Sequence, residues 1–330
     1  MDVEYPTDIG LLEDAMRKTI TLTSRLCSEH NIKGWRQSGF SLRRIKCLQR
    51  KAQQSKRSRK ADTKLAIEKA HRRYLKYAAH YLEKSLSSCE QLSEEIGKHL
   101  EPQKWSKLQG KLAEISSFQA HAERQIDQIR RRVLEHETIP SSEKVYSVFE
   151  PEVEWISKGK AGVPFELGVK VGIVEDQHRF ILHHRVMQKE EDAAVAVTMV
   201  KATKEKFPNF NACSFDKGFH SPENQKKLPE LIEQVVLPRK GKATLADKEM
   251  ANDPKYKKAR RAHSAVESAI NALEHHGLNR CLDQGIDGFK RYVALSIVAR
   301  NLQRIGVILA EQAKDRLKKN MLVRERRLRA

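Results

Sequence analysis

The sequence predicts an α/β protein, a mixed sheet with helices, preceded by a long all-helical, basic region. Three observations carry this. Apolar residues recur at helical spacing through residues 1–138. The segment Ile139-Pro140-Ser141-Ser142 then breaks that pattern. Beyond it, short alternating runs and helices follow in the order hairpin, helix, strand, helix, strand, helix. The chain divides accordingly into a helical arm (1–138), an α/β domain (139–310) and a basic helical tail (311–330).

Leu11, Leu12, Ala15 and Met16 form an early amphipathic turn, with Thr7 or Asp8 available as its N-cap. From Asp62 to Gln91, Tyr74, Tyr77, Ala78, Tyr81 and Leu82 mark one face of a helix, and a further helix runs from Gln103 to His136. Between them lies a basic run, Arg43-Arg44-Ile45-Lys46, then Arg50-Lys51 and Lys56 to Lys60. It reads either as a solvated face or as a DNA contact. In the second region Phe165, Leu167, Val169, Val171 and Ile173 alternate as one strand. Glu175 to His178 turn it, and Phe180 to Val186 return antiparallel. A helix covers Asp192 to Lys206, and a short strand ends at Asp216. Ser221 caps the next helix with Pro222 as its first residue. Gln234 to Pro238 reads as another strand. The last helix, Phe289 to Leu309, is apolar enough to pack into a core. This order is most of a ribonuclease-H-like layout, with two of its three opening strands in view and the first missing.

Composition narrows the partners. The 330 residues hold 63 Lys and Arg against 43 Asp and Glu, a net charge of +20. That charge calls for a polyanion, with nucleic acid favoured over a membrane surface. No long uninterrupted apolar run and no signal segment stand out, which points to a cytoplasmic protein. The five cysteines are scattered and never spaced Cys-x-x-Cys, as expected of reduced thiols. His183-His184 and His275-His276 are adjacent pairs whose side chains diverge, a poor metal clamp.

Two acids stand in positions suited to chemistry. Asp216 lies in Ser214-Phe215-Asp216-Lys217-Gly218-Phe219-His220-Ser221, where a strand hands over to a helix and an acid projects from a sheet edge. Taken alone it is also an ordinary turn aspartate. Glu267 flanks the apolar stripe of the helix from Ala262 to His276, in line with His263 and Glu274. Taken alone it is a charged helix flank. Together, a strand-end acid and a helix acid can converge on divalent cations, which need a few oxygen ligands and keep waters for phosphates. Two such ions about 4 Å apart activate one oxygen and stabilise the other in phosphodiester chemistry. Arg239, Lys240 and Lys242, after a strand end, are candidate phosphate contacts or simply a basic loop.

Several ordered segments resemble bacterial insertion-sequence transposases with an Asp-Asp-Glu triad on a ribonuclease-H-like fold. They are Tyr146 to Pro151, Trp155 to Lys160, Phe165 to Gly168, Ser214 to Asn224, Leu237 to Gly241, and Val266-Glu267-Ser268 through Arg300-Asn301-Leu302, with Tyr5 to Asp8 and Leu11-Leu12 fainter. The resemblance implies that Asp216 is the second acid and Glu267 the third, holding Mg²⁺, with Mn²⁺ able to substitute. It implies DNA as partner, both element ends and target, and a homo-oligomer on that DNA. Where the wider signature has Tyr, Arg and Lys around the glutamate, this chain has Arg260, His263 and Glu274; His263 can still donate a hydrogen bond to a DNA phosphate. The first acid should precede the Tyr5-Pro6-Thr7-Asp8 segment, so its strand is expected to lie before Met1. Asp2 and Asp8 are the only nearby substitutes. The expectation is a transposase that is truncated and weakly active or inactive, against the alternative of a non-catalytic DNA-binding remnant that associates with intact transposase.

Overall fold

The computed structural model describes residues 6–55, 63–96, 100–157, 165–241, 249–250, 252–278 and 280–329. The protein is mixed α/β, and its chain forms two compact units, Met1–Leu167 and Gly168–Ala330.

The first unit is built on four helices: α1 (Asp8–Glu29), α2 (Ser38–Ser55), α3 (Thr63–Gln91) and α4 (Pro102–Leu134). Helix α1 packs against the other three, α2 against α3, and α3 against α4. Thr7 is the cap of α1, its hydroxyl oxygen accepting the Gly10 N–H at 3.2 Å. Asp8 instead pairs with Arg132 of α4 at 2.8 Å. Ile9, Leu12, Met16 and Ile20 line the buried stripe of α1, and burying each such side chain contributes roughly 1.5–3 kcal/mol. Tyr74 of α3 is fully buried among them, and its hydroxyl donates to the Ile9 carbonyl at 3.2 Å. A small polar network crosses the same core. The Thr23 and Ser85 hydroxyls lie 2.7 Å apart, and Gln119 Nε2 donates to Ser85 Oγ at 2.9 Å. Val148 joins this core, so the segment after the Ile139-Pro140 break stays with the helical unit. That unit ends in a two-stranded sheet of β1 (Glu154–Ser157) and β2 (Phe165–Gly168), with Trp155 stacked on Phe165 at 3.9 Å.

In the second unit β3 (Lys170–Glu175) pairs antiparallel with β4 (Ile181–Met187). Asp176 forms their turn, one carboxylate oxygen accepting from His178 and Phe180 N–H, each at 2.8 Å. Helix α5 (Asp192–Lys206) packs on β4 and on α6 (Pro222–Leu231). Helix α6 connects β5 (Ala212–Ser214) to β6 (Gln234–Val236), which pair in parallel with Ser214 opposite Val236. Helix α7 (Pro254–Leu273) follows, capped by Asp253. Gly277, at φ 105°, takes the left-handed conformation that breaks the path before α8 (Gly285–Arg329). Helix α8 is clamped to the β3–β4 hairpin: Asn301 exchanges two 3.0 Å hydrogen bonds with the Ile181 backbone, and Arg304 donates to the His178 carbonyl at 2.9 Å.

Several expectations change. The run 165–173 is not one strand: β2 turns to β1, and only β3 joins the hairpin. Among the described residues the strands form three two-stranded ladders, not one continuous mixed sheet. The break after α4 does not divide the units, which part after Leu167. The tail is no separate element, because α8 runs through it unbroken. Nor is that helix a core helix throughout. Val293 and Ile297 are buried with Ile181 and Leu273, whereas Leu295, Val298, Leu302, Ile305 and Leu309 are exposed. Between Gly285 and Met321 it is long and apolar enough, by length and composition, to cross a membrane. Its Asn301 and Arg304 are spent on protein backbone.

Candidate functional site

The site is built on the β5–α6–β6 unit. Parallel strands end on the same side, so the loops after β5 and β6 lie next to each other, the strands being about 4.8 Å apart. The ladder continues one step beyond β5, the Phe215 N–H donating to the Val236 carbonyl at 2.9 Å. Phe215 is buried with Ala196, Val200, Leu228 and Ile232, which fixes where the strand must end. Asp216 is the next residue and is exposed. One of its carboxylate oxygens accepts the Lys217 N–H at 2.7 Å and starts a short 3₁₀ turn, Lys217–Phe219. The turn is held from below: buried Asn224 donates to the Ala193 and Phe219 carbonyls at 2.7 and 2.8 Å. Ser221 caps α6 and Pro222 opens it, as their residue types predict.

The β6 loop brings Arg239 and Lys240 to this same edge. Pro238 is buried and anchors the loop, while both basic residues are exposed. Lys242 lies outside the described residues.

Helix α7 packs against both β5 and β6, so the helix carrying Glu267 adjoins the strands that lead to Asp216 and Arg239. Glu267 is exposed and His263 half-exposed. At 100° per residue Glu267 falls on the side away from buried Ala269 and Leu273, whereas His263, about 80° from Leu273, lies on the flank of that buried face. Ile270, on the same helix, is exposed as well. The structure thus joins the elements bearing the two acids without gathering a ligand set. Among the described residues no group of three or more His, Cys, Asp or Glu is arranged to hold a metal ion. Two carboxylates alone do not complete a two-ion centre. Asp8 is committed to Arg132 within the first unit, and Asp2 lies outside the described residues.

A further acid stands at the Asp216 loop, one whose place in the sequence marks only a helix start. Asp192, in the first turn of α5, lies against Gly218, where an added Cβ would come 2.5 Å from its carboxylate. Lys170 approaches Asp192 at 3.5 Å. A helix-start aspartate carries no sequence signal for this placement, because the contact spans two elements far apart in the chain. The neighbouring chemistry is inert: burial pushes the Cys213 thiol up to about 12, so it remains protonated at neutral pH. No family model, no curated protein and no solved structure matches this chain.

Proposed function

We propose that the chain acts on DNA as an insertion-sequence transposase of the Asp-Asp-Glu type, with a ribonuclease-H-like second unit, in the cytoplasm at the nucleoid. The reading is supported above all by one juxtaposition. Asp216 lies in the loop after one of two adjacent parallel strands and Arg239 and Lys240 in the loop after the other, and the helix bearing Glu267 packs on both strands. The order hairpin, α5, β5, α6, β6, α7 and the net charge of +20 are consistent with it.

In this reading Arg239, Lys240 and His263 hold DNA phosphates near the acids, and Asp216 and Glu267 would hold Mg²⁺ or Mn²⁺, which would supply activation of water or a 3′-hydroxyl. With two acids in place of three, strand transfer is weak. A homo-oligomer forms on DNA. A second reading is favoured by the absence of a three-acid group among the described residues: a non-catalytic DNA-binding remnant that associates with intact transposase.

The test is a duplex carrying the element ends, incubated with the purified chain and Mg²⁺ or Mn²⁺, and scored for nicking and joining. Trace activity lost in Asp216→Asn and in Glu267→Gln supports the enzyme. Binding without cutting selects the remnant. Cutting that survives both substitutions refutes the site.

A further inference from the structure

Between Glu29 and Asp62 the sequence holds eleven Lys and Arg and not one Asp or Glu. The structure sorts the part of this run that lies on α2. Ser41, Ile45, Leu48 and Ala52 are buried on one face, which packs toward α1 and α3. Arg43, Lys46 and Arg50 are exposed. Their spacing of three and four residues puts them in one line on the opposite face, with Gln54 continuing it. Arg36, just before the helix, shares with Arg43 an open concavity edged by exposed Phe40. Arg44 is sorted out of this line. Its guanidinium sits 4.0 Å from the Tyr77 ring centroid and donates to the Tyr77 hydroxyl at 2.5 Å, so it serves packing.

Several cations of this unit pair with acids: Lys111 with Glu29, Lys104 with Glu101, and Arg131 with three carboxylates. Among the described residues Arg43, Lys46 and Arg50 form no ion pair. The acid that feels Lys46 and Arg50 is half-buried Glu13 of α1, without a direct bond to either. Three cations held about 10 Å along an α-helix, on a face with no acid, suit a regular polyanion. Over that length a duplex presents about six phosphate charges.

We propose that the outer face of α2, through Arg43, Lys46 and Arg50, is a second DNA-contacting surface that grips duplex phosphates independently of sequence. It rests on the reading of this chain as DNA-acting, and it places a grip in the helical unit, apart from the acids of the second unit.

The experiment titrates a fluorescent 30-base-pair duplex with the full chain across a salt series. The variant Arg43→Gln/Lys46→Gln/Arg50→Gln is compared with Lys104→Gln/Lys107→Gln/Lys111→Gln, which removes equal charge from α4. Three lost phosphate contacts should flatten the slope of log K against log salt by about 2.7, at about 0.9 per contact. The α4 variant should change it by less than about 1. The charge-conserving Arg43→Lys/Arg50→Lys variant should keep the slope, which separates lost contact from lost folding. Equal effects of the α2 and α4 triple variants overturn the α2 surface while leaving DNA action intact. Failure of the unaltered chain to bind duplex at low salt overturns the DNA reading itself.

Discussion

Asn301→Ala offers the sharpest test of how the second unit is held. Asn301 Oδ1 accepts the Ile181 N–H and its Nδ2 donates to the Ile181 carbonyl, both at 3.0 Å. Ile181 is the first residue of β4, lies opposite Glu175 at an irregularity in the ladder, and is 4 % exposed. Its backbone depends on the helix side chain where the ladder is irregular. Each such hydrogen bond contributes about 1 kcal/mol net, and stranding a buried partner costs about 1–3 kcal/mol. The two bonds share one side chain and are not additive, so about 2 kcal/mol is expected in total. The direct assay is hydrogen exchange at the peptide covering Ile181. At about 1.4 kcal/mol per tenfold, protection should fall about thirtyfold. Asn301→Asp should do no better, because it keeps an acceptor but sets a carboxylate against the Ile181 carbonyl. Protection within threefold of the unaltered protein in Asn301→Ala would refute the clamp.

Ser85→Ala in the helical unit removes the hydroxyl shared by Thr23 and Gln119 and should cost about 1–3 kcal/mol in urea unfolding followed by tryptophan fluorescence. A loss below about 0.5 kcal/mol would mean that the network is energetically idle. The second unit should weaken in mild acid. Burial, then Lys206, lowers the proton affinity of His183 and His184 below the ordinary 6.5. The unfolded chain therefore binds more protons, so the stability is fully present above about pH 6.5 and is lost as pH falls through the depressed folded values. Each histidine contributes a slope of at most about 1.4 kcal/mol per pH unit. Guanidinium unfolding between pH 7.5 and 5, compared with His183→Gln/His184→Gln, reads this, and an unchanged slope in the variant would sink the assignment.

Much of the local structure was legible in the sequence because it is fixed by neighbours in the chain. The helix expected over Asp62 to Gln91 forms over Thr63–Gln91, and that over Gln103 to His136 over Pro102–Leu134. Apolar residues at helical spacing and Pro or capping side chains decide such boundaries, and both are local. For the same reason Ser221 and Pro222 open α6, Asp216 follows the strand end, and Asp176 makes the hairpin turn. Strand partners were not legible. The run 165–173 alternates without interruption, yet β2 pairs with β1 and β3 with β4, because pairing depends on which edge another segment presents.

The site shows the same division. Residue type and position marked Asp216, Glu267, Arg239 and Lys240, but only tertiary structure set the loops of β5 and β6 on one edge and packed α7 against both strands. It alone placed Asp192 on Gly218, turned Arg44 inward against Tyr77, and left Arg43, Lys46 and Arg50 in line on open surface. Charge and helical period are properties of the chain itself. Which charge is paired, buried or offered to a partner depends on what the fold brings alongside it.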